Sequence, residues 1–200
     1  EYNKVNQHAV IKMPDIMTFE DGGGFSIVYA TTYYALNQKA KLKKDEILLV
    51  LGAAGGVGLA AVEIGKAMGA KVIAVASTEE KLNIAKIHGA DELINYVKAD
   101  LKSSVKEITN KNGADVIYDP VGGSVSEEAF RSIAWEGRHL VIGFAGGEIH
   151  KLPLNLPLLK GASVIGVYWG VWALRNISEN NKNMSELFAL YNDRKIRPHI

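Results

Sequence analysis

The sequence contains no cysteine. Disulfides, thiolate nucleophiles and cysteine-ligated zinc are thereby excluded within these residues, and any chemistry must rest on oxygen and nitrogen groups. No apolar run reaches the roughly 18 residues a membrane helix needs, and Glu1-Tyr2-Asn3-Lys4 does not open a signal peptide. No membrane partner and a cytoplasmic location are expected. An excess of one charge is also lacking. Lys plus Arg number 23 against 22 Asp plus Glu, which leaves no long-range field to draw nucleic acid and points to a small, nearly neutral partner. Histidines are few, and His8, His88, His139, His150 and His199 show no close metal-ligand spacing, so they read as surface or strand residues. Asn176-Ile177-Ser178 and Asn183-Met184-Ser185 spell glycosylation sequons, which carry no weight without secretion. There is no internal repeat.

What is present is enough apolar material for one sizeable core: 48% of 200 residues. From Ile47 onward, short β-branched runs alternate with helical stretches, the rhythm of βαβ units. Strands are predicted at Ile47 to Leu51, Val72 to Ala76, Glu92 to Asn95, Val116 to Tyr118, His139 to Ile142 and Val164 to Val167. Helices are predicted at Gly24 to Lys39, Gly56 to Met68, Glu79 to His88, Leu101 to Thr109, Ser124 to Ile133 and Met184 to Tyr191. Near-continuous apolar strands need cover on both faces. The fold class expected is α/β: a Rossmann-type, doubly wound, six-stranded, mainly parallel sheet with helices on both faces. Asn3 to Pro14 hold an apolar cluster without continuing partner elements, and Arg194 to Pro198 read as an extended segment.

The first strand runs into Gly52-Ala53-Ala54-Gly55-Gly56-Val57-Gly58 and then a helix, the context that makes a glycine motif informative. Gly55 is expected to let the backbone turn tightly and approach a pyrophosphate, and Gly58 to let the helix pack close to the strand. The N–H groups at the helix start and the helix dipole attract phosphates. About 20 residues further on, enzymes that use NAD carry a carboxylate for the ribose hydroxyls. Here the second strand ends at Ala76-Ser77 without one. Ser77, Lys81 one helical turn later and Tyr96 after the third strand instead suit a 2′-phosphate, which favours NADPH over NADH. Plainer roles for the same residues are a helix cap, a solvated lysine and a packed aromatic.

A competing motif is Ser178, Tyr191 and Lys195, the spacing of the catalytic serine, tyrosine and lysine of short-chain dehydrogenases. Only five residues follow Lys195, too few for the strands that should come next. Tyr191 also continues the apolar stripe of Leu187, Phe188 and Leu190, so a packing role is expected.

Taken together, several blocks resemble the quinone oxidoreductase (zeta-crystallin-like) branch of the medium-chain dehydrogenases/reductases. They are Val28 to Leu36, Gly52 to Gly58, Gly89-Ala90-Asp91, Asp119-Pro120-Val121-Gly122-Gly123, Gly137 to Phe144, Pro153 to Lys160 and Gly166 to Gly170. The resemblance implies that residues 1–23 are a linker and the remnant of an absent chaperonin-10-like catalytic domain, and that residues 24–200 form an NADP-binding domain. It implies Thr31 near the nicotinamide ribose or carboxamide, and Gly55, Gly56 and Val57 against the pyrophosphate. Ser77, Lys81 and Tyr96 would surround the adenosine phosphate, with Val121, Phe144 and Tyr168 beside the nicotinamide half. Gly22-Gly23-Gly24 stand where the alcohol dehydrogenase branch has a zinc-ligating cysteine, so zinc-independent hydride transfer from NADPH to a quinone or activated alkene is implied. The alternatives are an enal or enoyl-thioester reductase and an NADPH-binding module without activity of its own. The last strand is an apolar edge, where subunits of the resembled family join, and a homodimer is expected there.

Overall fold

The computed structural model describes residues 4, 5, 10–149 and 151–200; His8, His150 and, of the apolar cluster before Pro14, Ala9 lie outside these. Six strands, β1 (Ile47–Leu51), β2 (Lys71–Ala76), β3 (Glu92–Asn95), β4 (Ala114–Asp119), β5 (Ile133–Val141) and β6 (Ser163–Gly166), form one sheet in the order β3-β2-β1-β4-β5-β6. Every pairing is parallel. The order reverses between β1 and β4, which opens a crevice at the carboxyl ends of the central strands.

Alternation along these strands explains their unbroken apolar sequences. Leu48, Val50, Val72, Ala74, Val116 and Tyr118 enter one core, and Leu49, Leu51, Ile73, Val75 and Ile117 enter another on the opposite face. The first core is closed by α1 (Phe19–Tyr33), α2 (Gly56–Ala67) and α8 (Ile177–Asn192), and the second by α4 (Leu101–Ile108) and α5 (Gly123–Arg131). Each fully buried leucine contributes about 1.5–3 kcal/mol of transfer free energy. Caps set the helix starts: Thr78 accepts the Lys81 N–H ahead of α3 (Glu79–Ile87), and Asp100 accepts the Ser103 N–H ahead of α4. Among the described residues no helix is long and apolar enough to cross a membrane.

The largest departures from the sequence reading lie at the edges. α1 begins at Phe19, not Gly24, because Thr18 accepts the Asp21 N–H at 3.1 Å and so caps a helix that runs through three glycines. A boundary after residue 23 therefore falls inside α1. Tyr34–Lys39 continue it as a π-helical turn. α5 stops at Arg131 and Ile133 already pairs with Ala114, so β5 starts six residues before the predicted His139. Two short helices, α6 (Asn155–Lys160) and α7 (Trp169–Arg175), were not predicted. Arg194 to Pro198 do find a place: Ile196 is buried and the Arg197 N–H donates to Glu63 Oε2 at 3.0 Å.

Candidate functional site: a crevice at the strand ends

The β1–α2 turn is held by backbone geometry. Gly52 adopts φ +58°, and a Cβ there would come within 2.8 Å of Val121 Cγ2, so the positive-φ turn falls on Gly52. Gly55 has ordinary extended angles (φ −81°, ψ 165°) and caps α2; the tight turn expected of it belongs to Gly52. Gly58 behaves as expected. A Cβ on it would lie 2.3 Å from the Gly52 carbonyl oxygen, so only glycine lets α2 rest this close to β1. The first helical bond of α2 runs from the Leu59 N–H to Gly55 O at 2.8 Å. The N–H groups of Gly56, Val57 and Gly58 thus precede the intrahelical ladder at the positive end of the dipole.

Beside this turn lies a cavity of about 610 Å³, within the range of small-molecule sites. Gly55, Gly56 and Val57 line it at the helix start, Ser77, Lys81 and Tyr96 at the far end of β2, and Val121 on the β4 side. Seven of the ten sequence-derived site residues are therefore brought together. Thr31, Phe144 and Tyr168 are not in its lining. Phe144 packs over Gly122, close to Val121. Tyr168 is 74% exposed and stands at the start of α7, just past β6. Thr31 lies on α1 one turn after Ile27 (72% exposed) and on the same face.

At the β2 end, Lys81 Nζ donates to Ser77 Oγ at 3.4 Å, and the Tyr96 N–H donates to Ala76 O at 3.3 Å. The cap of α3 is Thr78, which leaves the Ser77 hydroxyl to the cavity. The carboxylate at the start of α3, Glu79, accepts from Asn95 Nδ2 at 2.9 Å and from Lys98 Nζ at 3.0 Å, and these bonds hold its carboxyl below the usual glutamate range.

On the other side, the 3% exposed Asp119 organises the β4–α5 turn. Its Oδ1 accepts the N–H groups of Val121 and Gly122, both at 2.9 Å, and its Oδ2 accepts from Ser126 Oγ and from His139 Nε2 at 3.1 Å. Burial works against this carboxylate, yet the bonds from His139, Ser126 and the Gly122 N–H outweigh it and hold its carboxyl below the ordinary aspartate range. His139 is thus a buried strand residue and not a surface one. Thr32, next to the proposed Thr31, donates to Val28 O at 2.8 Å and lies 2.8 Å from the hydroxyl of fully buried Tyr118, which burial keeps protonated. The Asp119–His139 and Thr32–Tyr118 contacts join residues far apart in the chain, and sequence reasoning had no signal for them.

Tyr191 is a packing residue: its hydroxyl donates to buried Asp21 at 2.5 Å and its ring meets Phe25 edge-on. Among the described residues no group of three or more His, Asp or Glu could hold a metal.

The sequence model of the zinc-binding dehydrogenase family matches residues 56–189. The chain belongs to the quinone oxidoreductase branch of that family, within the medium-chain dehydrogenases/reductases. Quinone oxidoreductase-like protein 2 of Bos taurus is 36% identical to this family member over 190 residues, which are 94% of the chain and 54% of that protein. The quinone oxidoreductase of Pseudomonas syringae superposes with a TM-score of 0.87 at 32% identity, over 93% of this chain and 57% of that one. That of Escherichia coli, solved in complex with NADPH, gives 0.81 at 31% identity, over 92% and 56%. The chain spans about half the length of the curated relatives it matches.

Proposed function

We propose that this chain is the cofactor-binding half of an NADPH-dependent, zinc-independent reductase that passes hydride to a quinone or an activated alkene. The observation that carries the reading is the β2 end of the cavity, where Ser77, Lys81 and Tyr96 stand together and no carboxylate lines the wall. A ribose hydroxyl pair needs an acceptor there; a 2′-phosphate needs donors and positive charge, which these three residues supply. The N–H groups of Gly56 to Gly58 suit the pyrophosphate, so both anionic parts of NADPH have a fitting wall.

Bound NADPH supplies the hydride. The chain's own residues bind and orient it: Lys81 and Ser77 fix the adenosine phosphate, the α2 start fixes the pyrophosphate, and Val121 with Phe144 forms an apolar wall that keeps water from the reacting end. The family resemblance assigns Thr31 and Tyr168 to that end as well; both stand outside the cavity lining. The exposed apolar side chains of Phe19 and Ile27 on α1, the latter one turn before Thr31, support a further region of the protein closing the acceptor pocket, in keeping with relatives about twice as long. The edge position of β6, with half-exposed Val164, supports a homodimer through that strand. The location proposed is cytoplasmic.

The test is NADPH oxidation with a soluble benzoquinone and with an enone, on this chain and on a protein extended to the relatives' length. Turnover by the longer protein and binding without comparable turnover by the chain is the expected result. Failure of both to consume NADPH with either acceptor would overturn the reading.

A further inference from the structure

The phosphate end of the cavity is assembled from two separate turns, and one buried side chain ties them together. The turn after β2 carries Ser77 and leads to Lys81 on α3; the turn after β3 carries Tyr96. Asn95, the last residue of β3, is 8% exposed. Its Oδ1 accepts the Val97 N–H at 3.1 Å, and its backbone carbonyl takes the N–H groups of Lys98 and Ala99. These three bonds fold the Tyr96 turn onto Asn95. Its Nδ2 donates to Oε1 of Glu79, the first residue of α3, at 2.9 Å. One side chain thus accepts from one turn and donates to the other, which an amide can do and a carboxylate or an aliphatic group cannot.

The same bridge settles where a negative charge sits. Glu79 lies two residues from Ser77 and two from Lys81, close enough in the chain to oppose a phosphate. With its Oε1 engaged by Asn95 and Lys98 it stays on the β3 side, and the cavity lining includes Ser77, Lys81 and Tyr96 but not Glu79.

We infer that Asn95 is a positioning residue for recognition of the 2′-phosphate: its bridge to Glu79 fixes the Tyr96 turn against Ser77 and Lys81, keeps the Glu79 charge off the phosphate, and thereby sets the preference for NADPH over NADH without touching either. This rests on the NADPH reading proposed above. Like-charge repulsion and lost donors act only on the cofactor that carries the extra phosphate, so the ratio of the two affinities isolates the effect.

The experiment titrates NADPH and NADH into the wild-type chain, Asn95→Leu, Asn95→Asp and the double variant Asn95→Asp/Glu79→Gln, with melting temperatures measured in parallel. Asn95→Leu removes the bridge without adding charge. Asn95→Asp keeps the acceptor toward Val97 and loses the donor. The double variant exchanges donor and acceptor, so the new amide at position 79 can donate to the new carboxylate. The two single variants should lower the NADPH to NADH affinity ratio by about tenfold, the scale of one charge-assisted hydrogen bond, with NADH little changed. The double variant should bring the ratio back to within about threefold of wild type, a rescue that a merely structural loss would not show. Parallel weakening of both cofactors, an unchanged ratio in the single variants, or no recovery in the double variant would overturn the inference while leaving the wild-type preference intact. A wild-type chain with no preference would overturn the NADPH reading and this inference with it. If Asn95→Leu does not fold, the Asn95→Asp pair carries the same test.

Discussion

His139 Nε2 lies 3.1 Å from Asp119 Oδ2, so a histidine from β5 braces the carboxylate that holds the Val121 turn at the mouth of the cavity. Both residues are buried, and the Asp119 carboxyl is held below the ordinary range by its bonds to His139, Ser126 and the Gly122 N–H, against the opposing effect of burial.

A pH dependence follows from the sign of that shift. A carboxyl depressed in the folded chain contributes stability that is complete above its unfolded value, about 3.9, and is lost as pH falls through the folded value. Wild type should therefore lose urea resistance steeply below about pH 4. Asp119→Asn should start about 1–3 kcal/mol less stable at neutral pH and show a shallower acid slope. Urea midpoints from pH 3 to 7 check this, and parallel curves for the two proteins would contradict it.

Gly58 and Gly56 should separate under the same small change. A methyl at Gly58 meets the Gly52 carbonyl oxygen at 2.3 Å, whereas one at Gly56 meets Val28 Cγ2 at an ordinary 3.6 Å. Gly58→Ala is expected to cost about 1–3 kcal/mol, as overpacking does, and to weaken NADPH by displacing the start of α2. Gly56→Ala should stay within about 0.5 kcal/mol of wild type in thermal or urea unfolding.

Where the chain is doubly covered, its sequence spoke clearly. Ile47–Leu51 forms a strand at the predicted bounds because a central parallel strand buried on two faces must be apolar throughout. The edge elements were hidden for the converse reason. α6 and α7 contain no buried residue, so no periodic pattern marks them, and Trp135 and Glu136 interrupt the apolar run of β5 with exposed side chains, Glu136 at φ 57°. Gly22, Gly23 and Gly24 look like a break, yet α1 persists through them because Thr18 caps it and Asp21 and Phe25 anchor it on Tyr191 and Phe188. The site divides in the same way. Glycine spacing and the missing carboxylate at Ser77 are local features, while the Asp119–His139 and Asn95–Glu79 bonds join elements that only the folded sheet brings together.

Assembly through β6 should be sensitive to charge at its exposed face. Val164→Lys is expected to convert a dimer into a monomer at micromolar concentration by light scattering, since an inserted lysine is a common guard against edge pairing. Trp169 should be unaffected by the change, because its indole N–H is already committed to Asn180 Oδ1 at 3.0 Å. A wild-type chain that is monomeric throughout would contradict the proposed interface.

The central claim is that the end of β2 reads a 2′-phosphate, and calorimetric titration of NADPH and NADH into the wild-type chain and Lys81→Ala tests it most directly. The account predicts that wild type binds NADPH more tightly, and that Lys81→Ala weakens NADPH by about 1–3 kcal/mol while NADH is almost unchanged. Equal affinities in wild type, tighter binding of NADH, or an equal loss for both cofactors in Lys81→Ala would contradict it.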